Sequence, residues 1–336
     1  MNRHLIHIIL FYLILTVLLL SACSTPQASP TPIPPSVTPL SPTATPLPPT
    51  DTPLLPSATP VTPTLPPPSP TPEPTFSKLE GKADVGGWQI YYICLGEGSP
   101  TVVLDSGYLE DSGYWKSVMQ GVAPHTRICA YDRAGLGESD PAPTPRSSLD
   151  MATDLYNLLT NAGLAGPYVL VGHSAGGLTV LVYANQHPQD IVGMVLADPS
   201  CPDWALRTLE SLPYEYTGEP SDVAECRGSM KGYVKFWKSS GNAEGWDFAT
   251  SFEQVRAISS LGDLPLIVIT DIRDRFCKGD LGEKENQIWT NLNAEYAALS
   301  TNGTQVITNS GHMLPTTNPH AVVDAILQVI EQARSK

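Results

Sequence analysis

The pentapeptide Gly172-His173-Ser174-Ala175-Gly176 lies between an apolar run at 168–171, which has the character of a buried strand, and a stretch with helical character. A strand that reverses into a helix over so few residues strains its central residue and leaves no room for side chains on either flank. Glycines 172 and 176 provide that room, so the sequence predicts a sharp turn that presents Ser174 as a nucleophile. A turn at a helix N-terminus also points the Ala175 N–H outward, where it can stabilise an oxyanion. In a chain with 26 glycines the pentapeptide alone is weak evidence, and its weight comes from what surrounds it.

Apolar, β-rich runs at 88–95, 101–105, 127–131, 168–171, 191–197, 266–270 and 305–308 alternate with helical patterns. That alternation predicts an α/β fold with a mostly parallel central sheet flanked by helices. Leu149, Ala152, Leu155, Leu158 and Leu159 form the apolar stripe of one helix, and Val322, Val323, Ile326, Val329 and Ile330 that of the last. Residues 199–261 break the alternation and carry Trp204, Tyr214, Tyr216, Trp237, Trp246 and Phe248. They are expected to form an inserted helical cap.

The N-terminal third has a different character. Arg3 precedes an apolar run over 5–20, too short for a bilayer span of about 20 residues and basic at its start like a signal peptide. Leu20-Ser21-Ala22-Cys23 resembles a bacterial lipobox, which implies a signal peptide over 1–22 and lipidation at Cys23. An ordinary secretory signal cleaved near Ala22 and an uncleaved anchor are the alternatives, and all three imply export. Residues 24–77 hold 20 of the 34 prolines and 12 threonines, with Asp51 and Glu73 as the only charges, so no packed core is expected there. As polyproline II, at about 3.1 Å per residue, this stalk would reach on the order of 170 Å. The expected location is the outer face of the cell membrane, with the domain at 78–336 outside the cell.

That domain holds all but two of the 33 acidic residues and all but one of the 19 basic ones. Such acidity argues against nucleic acid or anionic lipid as its ligand.

By its motifs, the chain resembles the α/β-hydrolase superfamily over nearly all of 88–334. Leu104-Asp105-Ser106-Gly107-Tyr108 stands where that family carries its oxyanion loop, and 131–139, Tyr-Asp-Arg-Ala-Gly-Leu-Gly-Glu-Ser, matches its D-R-x-G-x-G-x-S turn. Gly-His-Ser-Ala-Gly-Gly is its nucleophile elbow, and Ser310-Gly311-His312 follows the final strand, where the family places its histidine. The resemblance implies an α/β-hydrolase fold and a serine hydrolase.

A serine hydroxyl needs a base to take its proton and an acid to orient that base. Among His125, His173, His187, His312 and His320, only the last two follow the candidate acids. His320 opens the last helix, whereas His312 lies in a short loop leaving a strand, so His312 is expected to be the base. His173, inside the elbow, is expected to point away from the base site. Two acids remain open. Asp274 lies just past the strand at 266–269, at the superfamily's commoner acid position. Asp198 ends the preceding strand, in the run 193–203 that resembles a subset of relatives with the acid there.

The oxyanion donors implied are the N–H groups of Tyr108 and Ala175. Many relatives have His-Gly where this chain has Ser106-Gly107, which leaves the anchoring of that loop and the part of Tyr108 open. Cys94 and Cys129 lie in strands that would be neighbours in this fold, and an oxidising compartment favours a disulfide between them. Cys201 with Cys226 is the next expected pair, leaving Cys277 odd. No His/Cys/Asp spacing suggests a metal, and no G-x-G-x-x-G follows the first strand, so no cofactor is expected.

Three functions fit these residues. The first is hydrolysis of a small-molecule carboxylic ester through a Ser174 acyl-enzyme, with the aromatic cap over an apolar group. The second is an aminopeptidase or amidase on the same triad, with Glu210, Glu215, Glu219 and Asp222 as acids for a substrate ammonium. The third is a non-catalytic, surface-displayed binding module.

Overall fold

The computed structural model describes residues 76–273 and 276–335. The expected signal peptide, Cys23, the Pro/Thr-rich stretch up to residue 75 and Asp274 lie outside the described residues.

Eight strands form one sheet: β1 (Lys78–Asp84), β2 (Gln89–Leu95), β3 (Thr101–Asp105), β4 (Ile128–Tyr131), β5 (Tyr168–His173), β6 (Ile191–Ala197), β7 (Leu266–Asp271) and β8 (Gly303–Thr308). Their order is β1-β2-β4-β3-β5-β6-β7-β8. β1 and β2 pair antiparallel, as do β2 and β4, and every other pairing is parallel. This is the α/β-hydrolase fold. β1 is absent from the sequence-based strands because its side chains are mostly exposed at the sheet edge, so it has no apolar pattern to read.

The helices are α1 (Lys116–Val122), α2 (Ser148–Asn161), α3 (Gly176–Gln186), α4 (Trp204–Ser211), α5 (Ser221–Trp237), α6 (Phe248–Arg256), α7 (Gly279–Ala297), the single turn α8 (Leu314–Thr317) and α9 (Pro319–Arg334). The central strands are apolar throughout because both faces are covered, and successive side chains divide between two cores. Val102, Leu104, Val169, Val171, Val195, Ala197, Ile267 and Ile269 face α1 and α9. Val103, Leu170, Met194, Leu196, Leu266 and Val268 face the opposite core with α2, α3 and α7. The expected stripes behave accordingly: Leu155, Leu158 and Leu159 of α2 and Val322, Ile326, Val329 and Ile330 of α9 are buried, whereas Leu149 is exposed. A capping box starts α2, in which the Ser147 hydroxyl accepts from the Asp150 N–H and the Asp150 carboxylate accepts from the Ser147 N–H.

Helices α4, α5 and α6 lie between β6 and β7, within the interval expected to interrupt the alternation. Their aromatic residues form one contiguous cluster: Trp204 meets Tyr233, Trp237 and Trp289, and Phe252 meets Trp237 and Phe248. Tyr214 and Tyr216 stay outside it and are exposed.

Cys94 and Cys129 face each other across β2 and β4 and form a disulfide, as expected. The second pairing differs from expectation. Cys226 of α5 bonds Cys277, in the loop before α7, while Cys201 is a buried thiol outside both disulfides. Cys201 sits where the chain leaves β6, with its Sγ 3.5 Å from both the Pro199 carbonyl and the Asn293 amide, so it packs into α7 rather than toward α5.

Candidate active site

The turn after β5 has the geometry its glycines predict. Ser174 adopts φ +50°, a left-handed conformation that is strained for a residue with a Cβ. A Cβ on Gly172 would lie 2.7 Å from the Gly177 Cα, and one on Gly176 would lie 2.5 Å from the carbonyl oxygens of Asp105 and Ser106. Glycine at both positions therefore lets the turn close and brings it against the end of β3. α3 begins immediately, with Ala175 at its N-cap.

Three of the expected residues come together. His312 Nε2 is 3.0 Å from Ser174 Oγ, and His312 Nδ1 is 2.6 Å from Asp198 Oδ2. A carboxylate can only accept, so the proton sits on Nδ1, and Nε2 faces the serine with its lone pair. The Asp198 side chain is 0% exposed, whereas that of His312 is 41% exposed, so the chain of bonds runs from the interior to an open edge. Asp198 itself has φ +45°. Its N–H donates to the Ile269 carbonyl at 2.7 Å, which locks the end of β6 to β7. Its other oxygen, Oδ1, accepts from Asp271 N–H and Trp289 Nε1, both at 2.9 Å.

The His312 loop is fastened by a residue that the sequence reading did not single out. Asp271, the last residue of β7 and fully buried, accepts through Oδ2 from Ser310 N–H at 2.6 Å, Gly311 N–H at 2.9 Å and the Thr308 hydroxyl at 3.0 Å. Its Oδ1 takes the Arg273 N–H at 2.8 Å. His173 lies against the His312 loop, where its Nε2 donates to the His312 carbonyl at 2.8 Å. His173 Nδ1 lies 3.6 Å from Glu110 Oε2.

The loop after β3 runs beside the elbow. The Ser106 hydroxyl donates to the Asp111 carbonyl at 3.0 Å and accepts from Trp115 Nε1 at 2.9 Å, so Ser106 anchors the loop where many relatives have histidine. Tyr108 packs edge-on against Phe236 and Phe248, and its hydroxyl accepts from the Ala243 N–H at 3.0 Å. Burial pushes the Tyr108 phenol above its usual range.

Behind this loop lies Arg133 of the Asp132-Arg133 turn. It is fully enclosed and bonded to Asp105, Glu244 and the carbonyls of Ser106 and Gly107. Burial works against its charge, but Glu244 and Asp105 outweigh that and hold the guanidinium protonated beyond its ordinary range. Burial likewise raises the Asp105 carboxyl, a rise that Arg133 and the Tyr131 hydroxyl oppose. Asp132 accepts from Ser112 N–H and Glu138 N–H, so the turn itself is structural. Among the described residues no group of three or more His, Cys, Asp or Glu is arranged to hold a metal ion.

Residues 100–236 match a family model described as alpha/beta hydrolase fold, a span that contains both the elbow and the Asp132-Arg133 turn. Over that span the chain is similar to α/β hydrolases, in keeping with its α/β-hydrolase fold. Among its relatives, uncharacterized protein YqjL of Bacillus subtilis is 29% identical over 238 residues, 70% of this chain and 85% of that protein. Uncharacterized protein C23C11.06c of Schizosaccharomyces pombe is 35% identical over 119 residues, 35% of this chain and only 22% of that protein's length. Solved α/β-hydrolase structures share the fold at lower identity. A thermophilic esterase from Thermogutta terrifontis superposes with a TM-score of 0.51 at 20% identity, over 76% of this chain and 99% of that one. The Cif epoxide hydrolase from Acinetobacter nosocomialis superposes with a TM-score of 0.55 at 17% identity, over 75% and 89%.

Of the site residues expected from this superfamily, Ser174, His312 and Asp198 are in hydrogen-bonded series, and Tyr108 and Ala175 lie on the two backbone segments that meet at Gly176. Asp271, Trp289, Arg133 and Glu244 were not expected to matter. Arg133 lay inside a motif that was recognised, so its role could have been inferred. The other three are isolated residues whose partners are distant in sequence.

Proposed function

We propose that the chain is an exported serine hydrolase of carboxylic esters that works through a Ser174 acyl-enzyme. The observation that carries this reading is the series Asp198–His312–Ser174, bonded at 2.6 and 3.0 Å.

In the first half-reaction His312 Nε2 takes the Ser174 proton as Oγ bonds to the substrate carbonyl carbon, and Asp198 stabilises the imidazolium through Nδ1–H. Charge develops on the carbonyl oxygen, and the N–H groups of Ala175 and Tyr108 are the donors assigned to it; loss of one such donor costs about 10²–10³ in kcat. His312 then gives its proton to the departing alcohol oxygen as the C–O bond breaks. In the second half-reaction His312 takes a proton from water, the resulting hydroxide attacks the acyl carbon, and Ser174 recovers its proton as the acid leaves. The exposed edge of His312 gives water access to that step.

An ester with an apolar group is favoured over a substrate with a free ammonium. Aromatic packing starts at Trp289, which is bonded to Asp198, and continues through Trp204 to Tyr233 and Trp237. Two of the acids an aminopeptidase would need are already engaged: Glu215 pairs with Lys231 and Glu219 with Arg227. Export through the N-terminal segment, lipidation at Cys23 and a tethering stalk belong to the same proposal, with residues 199–261 as the cap. The two disulfides support an oxidising address.

Hydrolysis of short-chain and long-chain p-nitrophenyl esters by residues 76–336 tests the reading, with Ser174→Ala beside it. Turnover that vanishes in the variant is expected, and the chain-length profile sizes the pocket. Absence of turnover across the series, with release of amino-acid p-nitroanilides instead, would transfer the assignment to an aminopeptidase.

A further inference from the structure

Glu244 lies in the segment joining α5 to α6, far in sequence from β3 and β4, yet its side chain is only 2% exposed and is bonded among them. Its Oε1 takes Arg133 Nε at 2.6 Å, and its Oε2 takes Arg133 Nη2 at 3.2 Å and the Leu109 N–H at 3.0 Å. Arg133 Nη1 continues to the Ser106 carbonyl at 2.6 Å and Asp105 Oδ1 at 2.7 Å, and Nη2 to the Gly107 carbonyl at 2.6 Å. One buried ion pair therefore holds the backbone on both sides of Tyr108.

The peptide plane makes that arrangement consequential. The Gly107 carbonyl and the Tyr108 N–H belong to one rigid unit and point in opposite directions, so fixing the carbonyl on Arg133 fixes the direction of the N–H. The Leu109 N–H and the Tyr108 carbonyl form the next unit, fixed by Glu244. Leu109 has φ +65°, a conformation unfavourable for leucine that persists only where surroundings enforce it. The same segment also grips the Tyr108 side chain through the Ala243 N–H.

We propose that Glu244 is a positioning residue, which together with Arg133 aims the Tyr108 N–H at the developing oxyanion and makes oxyanion stabilisation depend on how the 242–246 segment is docked. The inference rests on the serine-hydrolase reading. A buried ion pair adds little stability over an apolar replacement, so the contribution of Glu244 is to geometry.

The test compares wild type with Glu244→Gln and Glu244→Ala, using Val255→Ala of α6 as a control that loses stability without touching the loop. Ester kinetics are measured beside inhibition by a trifluoromethyl ketone, whose hemiketal with Ser174 places an oxyanion at the site. In Glu244→Ala, kcat is expected to fall about 10- to 100-fold with KM within about threefold, and inhibitor affinity to fall in parallel. Glu244→Gln keeps the size of the side chain and an acceptor for Leu109, and is expected to fall between; if the alanine variant does not fold, Gln alone decides. Val255→Ala should keep wild-type kcat. Unchanged kcat and inhibitor affinity in Glu244→Gln and in any folded Glu244→Ala, with only a lower melting temperature, would overturn the inference while leaving the hydrolase reading intact. A wild-type protein that forms no hemiketal would overturn both.

Discussion

The backbone N–H of Asp271 donates to Oδ1 of Asp198 at 2.9 Å, while the Asp271 carboxylate accepts from the two N–H groups just before His312. One residue thus ties Asp198, the proposed acid, to the loop that carries His312, the proposed base. It stands at the end of β7, close to where the superfamily's commoner acid was expected, and its carboxylate serves the loop instead.

Asp271→Ala would leave the N–H groups of Ser310 and Gly311 without their acceptor, at a cost of about 1–3 kcal/mol for each donor left buried. The expected outcome is a lower denaturation midpoint together with a kcat reduced at least about tenfold, since loss of His312 placement weakens proton transfer. Equilibrium unfolding and ester kinetics on the same preparation check both parts.

Asp198→Asn keeps the shape of the side chain but removes the charge beside His312 Nδ1, which the proposed mechanism uses to hold the working tautomer. A fall in kcat of about four orders of magnitude is expected, with KM little changed. Asp274→Asn, made in parallel, should retain most activity. The reverse pattern would assign the acid to Asp274.

Trp289→Phe removes the Nε1 donor from Asp198 Oδ1 while keeping most of the ring packing. A loss of about 1–3 kcal/mol in stability is expected from weakened satisfaction of a buried carboxylate. Activity should fall by less than in Asp198→Asn, because the Asp271 N–H still holds the same oxygen. A Trp289→Phe protein as inactive as Asp198→Asn would mean that the indole does more than hold the carboxylate.

The Cys226–Cys277 disulfide joins α5 to the loop before α7 across 51 residues. Replacing both cysteines by serine should lower stability by about 2–4 kcal/mol, measured by denaturant unfolding. An unchanged midpoint would show that the aromatic packing alone holds α5 in place.

How much of this was legible in the sequence depends on how local each feature is. The elbow could be read because the backbone itself demands glycine beside Ser174, and the buried strands because two covered faces leave only apolar residues. β1 was missed because an edge strand with exposed side chains carries no pattern. Asp198 and Asp274 could not be separated by spacing, since both follow parallel strands and the contact of Asp198 with His312 is made only by the fold. The partner of Cys226 was misjudged for the same reason: Cys201 is nearer in sequence, but the turn after β6 directs it into α7. Glu244 had no local signal, because its importance comes from where the α5–α6 segment docks.

Activation of Ser174 as a nucleophile is tested by reaction of the folded protein with a fluorophosphonate, followed by intact mass and peptide mapping. One stoichiometric adduct on Ser174 is expected, absent from Ser174→Ala and greatly slowed in His312→Ala. A folded protein that acquires no adduct, or acquires it elsewhere, would show that Ser174 is not an activated nucleophile.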